Sequence, residues 1–437
     1  MKRSFIVIVL VSLFSSVYAQ ELVTLEQAIA LALENNYDVR IAKTNLKAAS
    51  TDNNFALAAF LPQLNGVGNY TVNDTDQEFR FENTANNRSG NAKSISYGGS
   101  LQLVWTLFDG TRMFATRERI EQLERQGTLQ VKEQMVNTIS AIITNYYDVI
   151  RQKQQLRAIQ EQMSVNEERV KLAERKLQVG TGAKPELLQA RVDLNAQRAS
   201  VVQQETLINQ LKENLNTLLD MKLPVSYDVA DTILIDTSLQ RDEVLGKVNT
   251  DNYGLLASQR SLFISQLAIK ERKAELLPTL NFVGAYTVTH NDNVRLINPF
   301  SALQSDFQGI NYGLTLNIPI LNAFNTQRLV QQSRIAYDRQ QLLFEQQRTT
   351  TNAAARNAYT NYQNALSILT IEEENILLAK ENVSIALESF KRGISTFIEL
   401  RTAQQSLETA YNRLINARYN AKVAETELLR LSGALLK

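Results

Sequence analysis

The chain has no cysteine and a single histidine. The first absence removes disulfides, thiolate catalysis, iron–sulfur clusters, cysteine zinc sites and lipid anchoring through an N-terminal cysteine. The second leaves no histidine pair for a metal site. Charge of one sign is also lacking. The 46 basic and 45 acidic side chains give a net charge of +1, so the overall balance draws the chain electrostatically to neither nucleic acid nor an anionic membrane surface. Past the N-terminus no apolar run approaches 18 residues, which excludes a helical membrane bundle and leaves any membrane crossing to strands. There is no glycine-rich phosphate loop and no carboxylate cluster outside ordinary helical surfaces, so the chain reads as a non-enzyme without a cofactor or metal. Glycine (16) and proline (6) are scarce for 437 residues, and their placement carries most of the information.

Residues 1–19, MKRSFIVIVLVSLFSSVYA, read as a signal peptide. Lys2 and Arg3 form a basic start, a short apolar run follows from Phe5, and Val17-Tyr18-Ala19 ends in small-residue form. The mature chain then starts near Gln20.

An internal duplication sets the architecture. Residues 36–72 align without gaps on 252–288, sharing among others Asn36/Asn252, Tyr37/Tyr253, Pro62/Pro278, Gly68/Gly284, Tyr70/Tyr286 and Val72/Val288. Further on, Gly180 matches Gly393, Glu186-Leu187 matches Glu399-Leu400, and Leu215 matches Leu428. The mature chain therefore reads as repeat 1 (20–220), a joint at 221–244 and repeat 2 (245–437). These are long units, not the short modules of a solenoid.

Within each repeat, glycine and proline act as punctuation. The windows 25–58, 186–219, 255–277, 322–391 and 397–432 contain neither, and 111–178 contains only Gly127. Such windows are helical by propensity, and the two longest would be rods of roughly 100 Å. The return helices carry a seam at three- and four-residue spacing. In repeat 2 it runs Leu400, Ala403, Leu407, Ala410, Leu414, Ala417, Ala421, Ala424, Leu428, Leu431; repeat 1 keeps the spacing, with Gln197 and Gln204 where repeat 2 has alanines. The opening helices (25–58 and about 244–277) match the return helices in length. The expectation is that each pair stacks end to end beside one long rod.

Between the helices lie four windows of period-two alternation, at about 62–73, 94–108, 278–290 and 309–321. One face collects Tyr70, Val72, Tyr97, Leu101, Leu103, Trp105, Phe282, Tyr286, Tyr312, Leu314 and Leu316; the other is mostly Ser, Thr, Asn and Gln. Residues 61–73, 94–108, 276–290 and 308–327 contain no Asp, Glu, Lys or Arg, although the chain is 21% charged. A sheet with one wet face places charges there; strands of a transmembrane barrel, with those apolar side chains toward lipid, fit better. The stretches 74–93 and 291–309 read as polar loops, with His290, at a strand end, a plain loop histidine and not a ligand, and Pro319 sits uncomfortably inside the last strand. Four strands cannot close a barrel, and an open edge is not tolerated in lipid. Two copies would give eight strands and three would give twelve.

A signal peptide, a tandem repeat of helix, two strands, long helix and return helix, and the turns V-G-T-G-A-K-P-E-L and R-G-I-S-T-F-I-E-L resemble the TolC-like outer-membrane efflux proteins over essentially the whole mature chain. The resemblance implies a mainly α protein with membrane β-structure. One chain would be one third of a homotrimer with a twelve-stranded outer-membrane barrel and a long helical barrel in the periplasm. It implies a periplasmic adaptor (membrane fusion) protein and an inner-membrane pump as partners, and a passive exit channel as function. The turns Val179-Gly180-Thr181-Gly182 and Arg392-Gly393-Ile394-Ser395 would be the tips that dock the adaptor. Glu186 and Glu399 match acidic positions lining the narrow end in that family. Thr402 stands where a second acid occurs, Phe390 matches an aromatic before the tip glycine, and Arg392 precedes the glycine where some members place a base after it. A latch on this gate would therefore be built differently. The rivals are an exit duct for secreted polypeptides, using the same conduit, and a secreted coiled coil or adaptor, which would carry one hairpin and charged strands.

Overall fold

The computed structural model describes residues 22–220 and 227–436. The expected signal peptide and residues 221–226 of the joint lie outside the described residues. In chain order the elements are β1 (Leu22–Val23), α1 (Leu25–Asn35), α2 (Tyr37–Asn54), β2 (Gln63–Phe79), β3 (Arg88–Asp109), α3 (Arg112–Gln178), α4 (Lys184–Leu219), β4 (Asp228–Val229), α5 (Arg241–Asp251), α6 (Tyr253–Ala274), β5 (Thr279–Arg295), β6 (Gln304–Asn317), α7 (Asn325–Lys391) and α8 (Phe397–Leu431). The described residues divide into two compact units, one of residues 22–44, 130–220, 227–256 and 348–436, the other of Asn45–Leu129 and Ala257–Gln347.

In the first unit the seam of α8 builds one of three buried clusters. Ala403, Leu407, Ala410, Leu414, Ala417 and Ala421 pack against Leu369, Ile376 and Val383 of α7. Alanine at alternate seam positions lets the helices approach closely, and each buried leucine contributes about 2 kcal/mol through loss of apolar surface to water. The seam of α4 is weaker in its middle: Leu187, Ala190, Leu194, Ile208 and Leu215 are buried, whereas Gln197 and Gln204 are half-buried. Gln204 turns its amide to the Gln152 carbonyl (3.1 Å) instead of packing.

The opening helices differ from the expectation. The window 25–58 is two α-helices and a short 3-10 turn (Ala56–Phe60), broken at Asn36. Ala28 and Ala32 of α1 pack alongside Ile208, Leu215 and Leu219 of α4, so α1 lies beside the return helix, not beyond its end. Asn36 then caps the new helix. Its Oδ1 accepts from the Asp38 and Val39 amides (3.0 and 3.3 Å), and its Nδ2 donates to the Leu218 carbonyl (2.9 Å). Repeat 2 repeats this at Asn252, between α5 and α6, with Leu255 N–H (2.9 Å) and the Leu431 carbonyl (3.0 Å). The helices tied to the last turns of α4 and α8 are therefore those that start at Asn36 and Asn252, namely α2 and α6.

The joint between repeats is partly a docked strap. β4 pairs in parallel with β1, Tyr146 Oη donates to the Val23 carbonyl (2.9 Å) and accepts from Ala230 N–H (3.1 Å), and Lys153 Nζ reaches Asp228 (2.6 Å) and Asp231 (2.9 Å).

The second unit holds a sheet of order β2-β3-β5-β6 with every neighbour antiparallel. Its strands outrun the charge-free windows. The connections shrink from the expected 74–93 and 291–309 to 80–87 and 296–303. The added rungs include polar cross-strand pairs such as Lys93–Asp74 (3.7 Å) and Asn91–Asp76 (3.0 Å). At the other end β6 stops at Asn317, short of the expected 321. Pro319 offers no amide to the ladder, so the strand ends before it.

Candidate functional site

The two helical turns are built alike. Gly180 (φ +80°) and Gly393 (φ +74°) both take the left-handed conformation that only glycine adopts at little cost. In the first turn the Thr181 amide donates to the Lys176 carbonyl (2.9 Å) and that of Gly180 to Leu177 (3.1 Å). In the second, Ile394 donates to Ser389 (2.9 Å) and Gly393 to Phe390 (3.1 Å). Both pairs are the six-to-one and five-to-two bonds of a Schellman motif, which satisfy carbonyls the helix end leaves free. Gly182 is close-packed, since a Cβ there would lie 2.8 Å from Lys176 Cβ and the Leu177 nitrogen. The bonds hold the backbone and leave Val179 (74% exposed) and Ile394 (76%) pointing out as isolated apolar side chains.

The expected gate residues separate into different environments. Thr396 and Glu399 form a capping box on α8: the Thr396 hydroxyl accepts from Glu399 N–H (3.3 Å), and the Glu399 carboxylate accepts from Thr396 N–H (3.0 Å). Glu399 remains exposed, while Glu186 is half-buried in the first turn of α4. Thr402 bonds the Ile398 carbonyl (3.0 Å), as a threonine on a helix surface does. Arg392 is exposed. Phe390 is 4% exposed, with Lys176 Nζ 3.9 Å from its ring centroid. It belongs to the packing between α3 and α7.

In the sheet unit, strand register decides which side chains share a face. Tyr70 is opposite Tyr97, Tyr97 opposite His290, and His290 opposite Asp306. The next rows join Leu101 to Tyr286 and Ile310, Leu103 to Gly284 and Tyr312, Trp105 to Phe282 and Leu314, and Leu280 to Leu316. Val72 is opposite Ile95. All eleven side chains assigned to lipid thus lie on one face, since registered partners point the same way. Most are exposed, with Leu103 and Phe282 half-buried. The opposite face carries Asn65, Asn69, Thr71, Asn73, Ser94, Ser96 and Ser100. Among the described residues the outer strands β2 and β6 pair on one side only. His290 is a strand residue, not a loop one: its ring packs at a tilt against Tyr97 (4.7 Å between centroids) and meets Asp306 through Nδ1.

A family model described as outer membrane efflux protein matches residues 28–220 and 250–434, which is both repeats. The chain belongs to the outer membrane efflux protein family. An outer membrane efflux protein resides in the cell outer membrane, with its helical tunnel in the periplasm. Outer membrane protein TolC of Vibrio cholerae is 23% identical over 428 residues, covering 97% of this chain and 93% of that one. Cation efflux system protein CusC of Escherichia coli K12 is 20% identical over 415 residues, covering 93% and 85%. Among solved structures, the CmeC outer membrane channel of Campylobacter jejuni matches with a TM-score of 0.77 at 16% identity, covering 94% of this chain and 85% of that one, and so shares the fold.

This outer membrane efflux protein also carries a buried polar cluster that its sequence did not advertise. Arg169 of α3 is 3% exposed and reaches Gln404 of α8 (3.0 Å) and the Asp193 carboxylate of α4. Asp193 is also bound by Gln189 (2.8 Å) and lies 3.6 Å from Arg401, and the Phe397 ring covers the Arg169 guanidinium at 4.8 Å. The cluster borders a cavity of about 150 Å³ that Gln162, Asn166 and Gln197 also line. The only hint was Gln197, a seam position that lacks an apolar side chain. Among the described residues no group of three or more His, Asp or Glu is placed to hold a metal ion, and no helix is long and apolar enough to cross a membrane.

Proposed function

We propose that this chain is one third of a passive outer-membrane exit channel in a tripartite efflux system. The carrying observation is the sheet: four strands with a charge-free band, one apolar face, one hydroxyl- and amide-rich face, and unpaired edges at β2 and β6. In lipid those edges require partners, and three copies supply the twelve strands of a closed barrel. The polar face then lines the passage. The helical turns at Gly180 and Gly393 dock a periplasmic adaptor through Val179 and Ile394, and an inner-membrane pump supplies the energy. Small toxic compounds or metal ions are the cargo class, in keeping with a relative named as a cation efflux protein.

In this reading Glu399 adds one charge per subunit to the narrow end. Glu399→Gln is a clean probe, because glutamine keeps an acceptor for Thr396 N–H and removes only the charge. The expected result in planar bilayers is a trimer-sized conductance whose cation preference falls severalfold in the variant. A wild-type protein of monomer mass in detergent refutes the channel; unchanged cation preference in Glu399→Gln refutes the charged tip.

A further inference from the structure

The sheet unit carries a built cleft below its strands. At the end of β3 the chain turns through Gly110 (φ +71°), where a Cβ would lie 2.4 Å from the Ala274 carbonyl and 2.7 Å from Leu277 Cβ. Only glycine lets the end of α6 seat against this turn. The result is an open cleft of about 590 Å³ whose walls include Phe114, Leu276, Leu277 and Val330, with Lys270, Lys273 and Arg334 among its lining residues. Phe114, Leu276 and Leu277 are exposed.

Two observations say what covers it. The first is continuity with the apolar sheet face. Trp105, on that face, donates its indole N–H to the Phe60 carbonyl (2.8 Å), and the Phe60 ring meets Phe114 edge-on at 5.3 Å. An aromatic path thus runs from the sheet face to the wall of the cleft. The second is charge. Lys270 lies 3.9 Å from Glu118, whereas Lys273 and Arg334 have no carboxylate at ion-pair distance among the described residues. An apolar cleft with two uncompensated cations matches an amphiphile with an anionic head.

We propose that this cleft binds one anionic glycerophospholipid of the periplasmic leaflet, its phosphate between Lys273 and Arg334 and the start of an acyl chain against Phe114 and Leu277. The site rests on the reading that the Trp105 face meets lipid. Its position at the foot of the strands places it where phosphates line the bilayer surface.

The test uses the full-length protein released from nanodiscs made of equal parts phosphatidylethanolamine and phosphatidylglycerol, read by native mass spectrometry. The expected result is retention of phosphatidylglycerol over phosphatidylethanolamine. In Lys273→Gln/Arg334→Gln that retention falls on the order of 10-fold. The swap Lys273→Arg/Arg334→Lys keeps it, and Leu277→Asp loses it with all cations present. Equal retention in the double glutamine variant, or displacement of the lipid by millimolar inorganic phosphate, overturns the proposal. A failure of the channel reading shows separately in the same experiment, as wild-type protein that never enters the nanodisc.

Discussion

Replacing Asn36 by alanine removes three hydrogen bonds at the break between α1 and α2. Two are cap bonds to the Asp38 and Val39 amides; the third joins the side chain to the Leu218 carbonyl. That carbonyl is in the last turn of α4, where the helix supplies no donor of its own. Asn36 is 7% exposed, so water cannot simply replace what is lost. Loss of the cap costs about 1 kcal/mol, and a carbonyl left without its donor costs about 1–2 more. The total is about 2–3 kcal/mol. If the loss is felt as local opening, hydrogen exchange at Asp38 and Val39 accelerates roughly 30- to 150-fold. Asn36→Ser keeps a cap acceptor but does not reach Leu218, and recovers about half. Asn252→Ala does less damage, because Asn252 is only half-buried. The assay is residue-resolved exchange on the detergent-purified assembly. An Asn36→Ala protein within about threefold of wild type at both amides, or a serine variant no better than alanine, refutes the reasoning.

Three further predictions follow from the same geometry. Gly393→Ala costs about 1 kcal/mol by strain alone, since φ is +74° and no atom lies within 4 Å of the new Cβ; Gly393→Asn costs less, and limited proteolysis at the tip reads the difference. Arg169→Met leaves the Asp193 carboxylate without its buried partner and lowers stability by about 3 kcal/mol, while Arg169→Met/Asp193→Leu recovers most of it in denaturant melts. Asp231 is held below the usual carboxylate range by hydrogen bonds from Arg157 and Lys153. A carboxyl depressed in the folded state stabilises above its unfolded value and loses that contribution as pH falls through its folded value. The strap at Asp228–Asp231 therefore loosens below about pH 4, and Asp231→Asn flattens the dependence of melting temperature on pH.

The long elements were legible because their signals are local. The return helices run Lys184–Leu219 and Phe397–Leu431 against windows of 186–219 and 397–432. Glycine and proline end helices by backbone geometry that needs no partner. The breaks at Asn36 and Asn252 were not legible as breaks, although both lie in the duplication. An asparagine on a helix surface and one capping a new helix look alike in sequence; the difference is a carbonyl 182 residues away. The strand ends at Phe79 and Arg295 were missed for a related reason. Charges such as Asp74 and Lys93 read as loop until cross-strand pairing makes them rungs.

The sequence by itself determined the duplication, the helical windows, the seam of α8 and the alternation that puts Tyr70, Trp105, Tyr286 and Leu314 on one face. Each follows from spacing along the chain. Only the tertiary structure decided that α1 lies beside α4, that Phe390 is packed under Lys176, and that Arg169 is buried against Asp193 and Gln404. These assignments depend on which atoms meet across long stretches of chain. A side chain's type limits what it can bond or bury, but its neighbours in space choose among those options.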